Sequence, residues 1–369
     1  MSAMRDLRER VRELDREILA RVADRLEVVR AIGQRKRAAG APLRDYDVER
    51  QVLDRADETA RELQVPAPLA REIMQALIAA SRAEQERLSY STYAGAAESI
   101  LILGGRGKMG RWFADFFANQ GHEVRVFDVA DERAGIEEEE RPVGLGGPAL
   151  QGVGFAVIAT PLYVVARSIE QLAAGGFGGI AFDIASLKGH LWPAIEAARR
   201  RGLRYTSVHP MFGPGARTLS DKVLCVCDCG DSEATARVRA LFEHTAATLV
   251  ELSFERHDRI ASHVLGLSHV TSILFAKTLM ESGLSFAELD RVGSTTFHSQ
   301  MVTTATVIRE NPELYFAIQR LNPLARELYE TMRRELESVT TWVLEGRSAP
   351  FEEMMQASRE WMEGGAKGV

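Results

Sequence analysis

The chain has 369 residues, 46% of them hydrophobic and 27% charged, with a formal net charge of -6. Its length exceeds what one hydrophobic core usually supports, which predicts two or three domains of ordinary globular composition. The sequence has no uninterrupted apolar run long enough for a membrane span, and its net charge argues against a nucleic-acid partner. Its charged N-terminus lacks the pattern of a secretory signal, and we expect a cytoplasmic protein.

The N-terminal part of the chain predicts three helices. Apolar residues recur at three- and four-residue steps from Leu7 to Val29, in a pattern that ends near Gly40. Two further helical stretches follow at 47–63 and 68–88. The small and polar residues after them lack periodicity, as a linker does.

A βαβ pattern begins after this linker. SILILGG and HEVRVFD have the apolar pattern of strands, and RWFADFFANQ between them has that of a helix. FAVIAT, GIAFDIAS and VLCVCD supply more strands, which predicts a parallel sheet with helices on both faces; from about Phe254 the pattern is helical again. We therefore predict an all-α domain at 1–92, an α/β Rossmann domain that binds NAD at 99–252, and an all-α substrate and dimerisation domain at 253–369.

The segment GRGKMG at 105–110 is a GxGxxG motif between a predicted strand and a predicted helix. Its glycines permit a tight turn and let a pyrophosphate rest on the helix N-terminus. Asp128 ends the next strand, where an acid accepts hydrogen bonds from ribose hydroxyls and repels a 2′-phosphate. This favours NAD over NADP, although Arg125 and Arg133 lie near enough in sequence to contact such a phosphate.

Thr160 and Pro161 follow the strand FAVIAT. Ligands bind beyond the carboxyl ends of such strands, so we expect these two residues to face the nicotinamide side of the cofactor. The predicted cofactor-binding residues are Gly105, Gly107, Lys108, Met109, Gly110, Asp128, Thr160 and Pro161.

Three cysteines, Cys225, Cys227 and Cys229, alternate along one predicted strand. Strand periodicity places them on one face, but no fourth ligand is nearby in the sequence. We interpret them as reduced strand residues and predict no metal site.

The first helix carries cations at informative spacings. Arg25 and Lys36 are eleven residues apart, which returns them to nearly the same helix face about 16 Å apart, where both can grip one anion. Arg8 lies about 25 Å from Arg25 along the helix and is turned away from it. It has to serve a site in a partner subunit.

LRERVRELD, ADRLEVVRAIGQRK, PLRDYDVER and IAASRAEQ resemble the successive motifs of the all-helical chorismate mutase family. The resemblance implies that the arginines neutralise two substrate carboxylates, that Lys36 and Gln85 stabilise charge on the breaking ether oxygen, and that Glu49 holds the ring hydroxyl. Val48 stands where many members of the family have arginine. The implied chorismate-binding residues are Arg8 of the partner chain, Arg25, Lys36, Asp45, Glu49, Ser81 and Gln85.

His209 follows an apolar strand and precedes the proline- and glycine-rich loop PMFGP. Oxidation of a ring alcohol needs a neutral base that takes the hydroxyl proton while hydride leaves for nicotinamide, and imidazole titrates near neutrality. Its position at the edge of the sheet therefore makes His209 the candidate catalytic base.

GGRGKMGRWF, DIASLKG, HPMFGP and ENPELYFAIQ resemble the prephenate dehydrogenase family. The resemblance implies that His209 polarises the C4 hydroxyl of prephenate, that Ser186 hydrogen-bonds near the same oxygen, and that His269 lines the pocket. Loss of the ring carboxylate as carbon dioxide then gives 4-hydroxyphenylpyruvate. Together the two resemblances imply a bifunctional enzyme of tyrosine biosynthesis.

His298 stands where members of that family usually carry an arginine that forks onto a substrate carboxylate. Histidine is shorter and only partly charged at neutral pH. Either another cation, such as Arg291, Arg256 or Arg259, takes this role, or the substrate is 4-amino-4-deoxyprephenate or arogenate instead of prephenate.

Two alternatives of other classes remain. In one, the Rossmann domain only senses NAD and the helices mediate assembly, which leaves His209 and Ser186 without a task. In the other, a hydroxyacid dehydrogenase-like enzyme, residues 1–95 stay unexplained. Both Arg8 and the apolar C-terminal helices predict a homodimer.

Overall fold

The computed structural model describes residues 2–38, 46–89, 95–128, 150–216, 219 and 222–365. The chain divides into two compact units, Met1–Phe254 and Glu255–Val369. None of the described helices is both long enough and apolar enough to cross a membrane. The predicted domain boundaries near 92 and 252 stay predictions.

The described N-terminal residues form three helices, α1 (Ser2–Ala38), α2 (Tyr46–Glu62) and α3 (Ala67–Ser89). Both α1 and α2 pack along α3. Among the side chains of this bundle that the structure describes, the buried apolar ones are Val29, Ala56, Ala60 and Ile78. The prediction of an all-α N-terminal part is confirmed.

The described residues also form a seven-stranded sheet with the order β2-β1-β3-β4-β5-β6-β7. It begins as the predicted βαβ unit, in which α4 (Lys108–Asn119) follows the first strand. The strands are β1 (Ser99–Leu103), β2 (Glu123–Phe127), β3 (Phe155–Ile158), β4 (Ile180–Asp183), β5 (Arg204–Pro210), β6 (Val223–Cys227) and β7 (Thr248–Glu251).

Strands β1 to β5 are parallel, as predicted, but β6 pairs with β5 in the antiparallel direction and β7 runs parallel to β6. The prediction of a parallel sheet is therefore wrong for β6, and β7, which the sequence analysis did not predict, runs in the direction of β6. A parallel neighbour needs a crossover connection, usually a helix. The described residues between β5 and β6 contain no helix, and the chain returns in the opposite direction.

Helices cover the sheet and close its core. After α4 they are α5 (Leu162–Ala174), α6 (Trp192–Arg200) and α7 (Ser232–Ala240), with a 3-10 turn at Gly189–Leu191. Fully buried side chains from the strands, such as Ile102 and Phe182, meet Phe113 and Phe117 of α4 and Phe242. The sheet positions the candidate site because its parallel strands β1 to β5 end at one common edge.

The second unit is helical, as predicted. Its helices are α8 (Phe254–Ala261), α9 (Ser268–Glu281), α10 (Phe286–Val292), α11 (Thr295–Ile308), α12 (Pro312–Leu321), α13 (Ala325–Leu344) and α14 (Ser348–Gly365). A π-helical turn, Ser262–Leu267, joins α8 to α9. Asn322 donates from Nδ2 to Ser262 Oγ at 2.9 Å, and Gln319 donates from Nε2 to Gly266 O at 3.0 Å. These two hydrogen bonds satisfy the Ser262 hydroxyl and the Gly266 carbonyl of the π-helical turn.

Candidate active sites

The GRGKMG segment forms a tight turn between β1 and α4. The turn opens at Gly104, which has a φ of +77° and donates its N–H to Phe127 O at 2.9 Å. Gly107 donates its N–H to Gly104 O at 3.0 Å and is the N-cap of α4, with no side-chain cap. The N-terminus of α4 is thus presented to an anionic ligand, as a dinucleotide pyrophosphate requires.

The turn has room only for glycine at two motif positions. A Cβ at Gly110 would lie 2.2 Å from Gly104 O and 2.7 Å from Gly105 Cα. A Cβ at Gly105 would lie 2.4 Å from Val126 Cγ1. A larger residue at Gly110 would push α4 away from the turn, because the atoms that it meets belong to the backbone. This cradle fits a dinucleotide.

Asp128 lies against the same turn. Its Oδ2 accepts a hydrogen bond from the Arg106 N–H at 3.0 Å. Arg125 is already engaged, because its guanidinium donates to Glu123 Oε1 at 2.9 Å and to a backbone carbonyl at 3.1 Å. Arg133 lies outside the described residues. The predicted ribose acid therefore stands beside the glycines, and the nearby Arg125 is held by other partners.

The remaining predicted cofactor residues lie around this turn. Lys108 and Met109 are the first residues of α4, and Met109 packs against the buried core. Thr160 follows β3, and its Cα lies 3.0 Å from the position of a Cβ on Gly104. Pro161 is the N-cap of α5. The structure thus brings Thr160 to the glycine turn.

His209 and Ser186 lie at the carboxyl edge of the sheet. His209 is the next-to-last residue of β5, pairs with Cys225 of β6, and is 4% exposed. Ser186 is half-buried in the turn that follows β4, the strand beside β5. The glycine turn and Thr160 follow β1 and β3 at this same edge, which is where parallel sheets place their ligands.

A buried polar network that the sequence analysis missed lies between these two residues. Asp183 ends β4, and its Oδ1 accepts from Lys188 Nζ at 2.9 Å and from the Ala185 N–H at 2.8 Å. Tyr205 donates its hydroxyl to Asp183 Oδ2 at 2.7 Å, and Lys188 donates to Val208 O at 2.8 Å. Burial, with the neighbouring Asp183 carboxylate, raises the pKa of Tyr205, which keeps the phenol protonated.

Trp112 is another residue that the sequence analysis did not select. Its Nε1 donates to Ala216 O at 2.7 Å, and its ring lies 5.1 Å from the ring of Phe212. Trp112 belongs to α4, whereas Phe212 and Ala216 belong to the loop that follows His209. Helix α4 therefore contacts the loop that follows His209 directly, through a hydrogen bond and an aromatic contact.

In the helical bundle the structure brings together Arg25 and Ser81. The half-buried Arg25 donates from Nη1 to Ser81 Oγ and, at 3.0 Å, to Leu77 O. Ser81 in turn donates to Leu77 O at 2.6 Å. These contacts fix the guanidinium against α3, which orients it for recognition of an anion.

The structure describes the other predicted residues of the chorismate site less completely than Arg25 and Ser81. Arg8 lies on the exposed N-terminal half of α1. Asp45 lies outside the described residues. Lys36, Glu49 and Gln85 lie in α1, α2 and α3, but their side chains are outside what the structure describes. Their roles in binding stay predictions.

In the second unit, His269 lies in the first turn of α9. Burial lowers its pKa from 6.5 to about 4, so the imidazole is neutral at physiological pH. Its ring centroid lies 4.3 Å from that of Tyr315, and among the described residues its Nδ1 has no hydrogen-bond partner. A neutral, half-buried imidazole with an unused ring nitrogen suits the lining of a pocket.

His298 lies near the start of α11 and is half exposed. Its Nδ1 is 3.6 Å from Asp290 Oδ1, and a Cβ on Gly293 would approach its ring within 3.0 Å. The expected anion-binding residue therefore has a carboxylate as its neighbour. Asp290 competes with a substrate carboxylate for any positive charge on His298.

The three cysteines are buried and form no disulfide, Cys225 and Cys227 in β6 and Cys229 just beyond it. Burial raises the pKa of Cys225 and of Cys229, which disfavours the reactive thiolate. No group of metal-ligating side chains occurs among the described residues.

Two protein families match separate parts of the chain. The family described as "Chorismate mutase type II" matches residues 7–86. The family described as "Prephenate dehydrogenase, dimerization domain" matches residues 253–357. The first match contains Arg25 and Ser81, and the second contains His269 and His298.

Several curated proteins are similar to this chain. A T-protein from Enterobacter agglomerans is 25% identical over 309 residues, 84% of this chain and 79% of that protein. A T-protein from Haemophilus influenzae is 21% identical over 98% of this chain and 93% of its own length. A 4-amino-4-deoxyprephenate dehydrogenase from Streptomyces pristinaespiralis is 28% identical over 246 residues, 64% of this chain and 81% of that protein.

The fold is also similar to a solved structure. A crystal structure of prephenate dehydrogenase from A. aeolicus in complex with hydroxyphenyl propionate and NAD+ superposes with a TM-score of 0.57 at 16% identity. The match covers 73% of this chain and 99% of that one. The predicted architecture, a helical bundle followed by a Rossmann sheet and a second helical region, is thereby confirmed.

Proposed function

The chain joins a chorismate mutase type II domain to a prephenate dehydrogenase dimerization domain, and on this premise we propose that it catalyses two consecutive reactions. The N-terminal helices rearrange chorismate to prephenate. The rest of the chain oxidises and decarboxylates prephenate to 4-hydroxyphenylpyruvate. The observation that carries the proposal is that His209, Ser186 and a turn that fits a dinucleotide lie at the same edge of one sheet.

The mutase step needs no covalent chemistry from the protein. It needs a compact conformer of the substrate and positive charge near the breaking ether bond. Arg25, oriented by Ser81 and the Leu77 carbonyl, binds a substrate carboxylate. Lys36 and Gln85 stabilise the ether oxygen, and Asp45 and Glu49 complete the pocket.

The dehydrogenase step needs a base at the C4 hydroxyl. His209, buried at the end of β5, accepts the hydroxyl proton at an imidazole nitrogen, and Ser186 donates a hydrogen bond to the same oxygen. NAD, when bound, accepts the hydride. Departure of the ring carboxylate as carbon dioxide makes the ring aromatic. We also propose His269 of the second unit, which burial keeps neutral at physiological pH, as a residue that contacts the substrate.

NAD, rather than NADP, is the proposed cofactor. The carboxylate of Asp128 lies on the glycine turn through its hydrogen bond from the Arg106 N–H. A 2′-phosphate at this position would meet a negative charge, whereas ribose hydroxyls would find an acceptor. Arg125, paired with Glu123, is not available without breaking that pair.

A homodimer is the proposed assembly, and the exposed face of α1 supports it. Apolar side chains on its N-terminal half are exposed, among them Leu7 (63%), Val11 (56%) and Ile18 (61%). A second copy that covers this face also brings its own Arg8 to the bundle. The match to a dimerization domain supports a further contact between the C-terminal regions.

One observation favours a second candidate substrate. The pairing of His298 with Asp290 makes this part of the second unit less positive than a free arginine would. Arogenate, which carries an amine beside its side-chain carboxylate, is then better tolerated. 4-Amino-4-deoxyprephenate carries its amine at C4 instead, and the similarity to a 4-amino-4-deoxyprephenate dehydrogenase supports it as a further candidate independently of His298.

The test supplies chorismate and NAD to the purified protein and follows NADH formation. Chorismate alone supports NADH formation only if both activities are present in the chain. The same assay then compares prephenate with its 4-amino analogue and with arogenate. A tenfold higher kcat/KM, about 1.4 kcal/mol of transition-state preference, identifies the preferred substrate. Oxidation of none of the three would refute the dehydrogenase assignment.

A further inference from the structure

The network of Asp183, Lys188 and Tyr205 lies fully inside the protein. All three side chains are 0% exposed. An ion pair taken out of water loses much of its hydration, and apolar residues of similar volume are often as stable or more stable in its place. Stability alone therefore does not account for a charged pair at this position.

The contacts of the network lead to both residues that the proposed dehydrogenase reaction uses. Asp183 Oδ1 accepts from the Ala185 N–H and from Lys188 Nζ, which closes the turn that carries Ser186. Lys188 also donates to Val208 O, the carbonyl next to His209.

The end of strand β4 explains why this carbonyl needs Lys188. The parallel pairing of β4 with β5 ends at Asp183 and Ser207. Val208 is the next residue of β5, beyond the last paired residue of β4. Lys188, which follows β4, donates to its carbonyl and so continues the connection between the two chain segments.

We propose that Asp183, Lys188 and Tyr205 form a positioning network that fixes the Ser186 turn and the His209 end of β5 relative to each other. The inference rests on the proposed dehydrogenase function. Lys188 acts through the Val208 carbonyl, and Tyr205 orients the Asp183 carboxylate by its hydrogen bond. None of the three has to touch the substrate.

The test measures kcat and KM for prephenate, and the pH profile of kcat/KM, in Lys188→Met, Lys188→Arg, Tyr205→Phe and the double variant Asp183→Asn/Lys188→Met. Lys277→Met is the control, because Lys277 lies on the surface of the second unit, with its side chain 62% exposed. Circular dichroism and the melting temperature of each sample report the amount of folded chain.

We expect Lys188→Met to lower kcat by about 30- to 100-fold, because displacements near 1 Å have effects of this size, with KM changed by less than about threefold. Lys188→Met also removes an ammonium that is bonded to the carbonyl of the residue before His209, and this loss moves the acid limb of the pH profile to higher pH. Lys188→Arg restores part of kcat. Tyr205→Phe, which keeps the ring and the ion pair, lowers kcat by about three- to tenfold at unchanged KM.

A purely structural network gives another result. The melting temperature then falls, but kcat per folded chain and the pH profile stay those of the unaltered protein, which overturns the inference. If Lys188→Met does not fold, the double variant and Tyr205→Phe decide by kcat per folded chain and its ratio to KM, since neither variant changes the net charge of the network. An unaltered protein that makes prephenate but oxidises no ring alcohol overturns the proposed dehydrogenase function, and the inference with it.

Discussion

Substitution of Gly110 by alanine tests the cofactor site most directly. The new Cβ would lie 2.2 Å from Gly104 O and 2.7 Å from Gly105 Cα, where an ordinary van der Waals contact is 3.4 Å or more. The turn and the start of α4 must therefore separate by about 1 Å, because backbone atoms cannot rotate away as a side chain does. The N–H groups that bind a pyrophosphate then lose their hydrogen-bond geometry.

The expected cost follows from this displacement. Hydrogen bonds to a charged group contribute about 1.5–3 kcal/mol each, and the loss of one of them raises the Kd for NAD by about 10- to 100-fold. Titration of the purified variant with NAD by calorimetry measures this change. Gly178→Ala is the matched control, because no atom lies within 4 Å of its new Cβ.

Circular dichroism and the melting temperature of the variant separate a local effect from misfolding of the sheet, and the chorismate mutase activity reports on the N-terminal helices. We expect Gly110→Ala to retain the mutase rate of the unaltered protein while it loses NAD affinity. If Gly110→Ala binds NAD as tightly as Gly178→Ala does, the turn between β1 and α4 is not the pyrophosphate site and the reasoning from its geometry is refuted.

Three further predictions concern other parts of the chain. Arg25→Ala should lower the mutase kcat/KM by about 100-fold or more and leave prephenate oxidation unchanged, whereas Arg21→Ala, whose side chain is 86% exposed, should change neither. His298→Arg should lower the KM for prephenate by about three- to tenfold, and an unchanged KM would show that the residue does not meet a carboxylate. Burial lowers the pKa of His122, and that of His269 to about 4, below the 6.5 of the unfolded chain, so the unfolded state binds protons first on acidification. The free energy of unfolding in urea should therefore be constant above pH 6.5 and fall between pH 6.5 and pH 4, by up to about 1.4 kcal/mol per pH unit for each histidine. Equal free energies of unfolding at pH 6.5 and pH 4 would contradict the lowered pKa values.

The fold could be predicted from the sequence to the extent that it depends on local pattern. Periodicity predicted α2 and α3 to within one residue of their bounds, because each has one apolar face, whereas α1 begins at Ser2, five residues before the first periodic apolar residue, Leu7. The glycine turn was also recognised, because the residues of its GxGxxG motif are consecutive in the sequence. The direction of β6 was missed, because strand direction depends on the connection that precedes the strand and not on its composition.

The candidate site was predicted less completely because its contacts are not local. Asp183 and Tyr205 are separated by 22 positions and meet only because β4 and β5 are neighbours. The signal in the sequence was an aspartate and a lysine five residues apart in an otherwise apolar stretch, DIASLK, where a solvated face would not be expected. His269 and Tyr315 likewise meet through the packing of two separate helices.

The histidine at position 298, where related dehydrogenases usually carry arginine, affects substrate binding and the chemical step differently. Both carboxylates of prephenate are fully charged before the reaction, and the ring carboxylate loses its charge as carbon dioxide departs. A cation that holds either one therefore stabilises the bound substrate at least as much as the transition state, and such contacts lower KM without raising kcat. His298, with Asp290 at 3.6 Å, holds an anion more weakly than a free arginine. An enzyme of this kind tolerates the exchange with an unchanged kcat, provided that His209 and Ser186 keep their positions, and the cost of the exchange is a higher KM for prephenate.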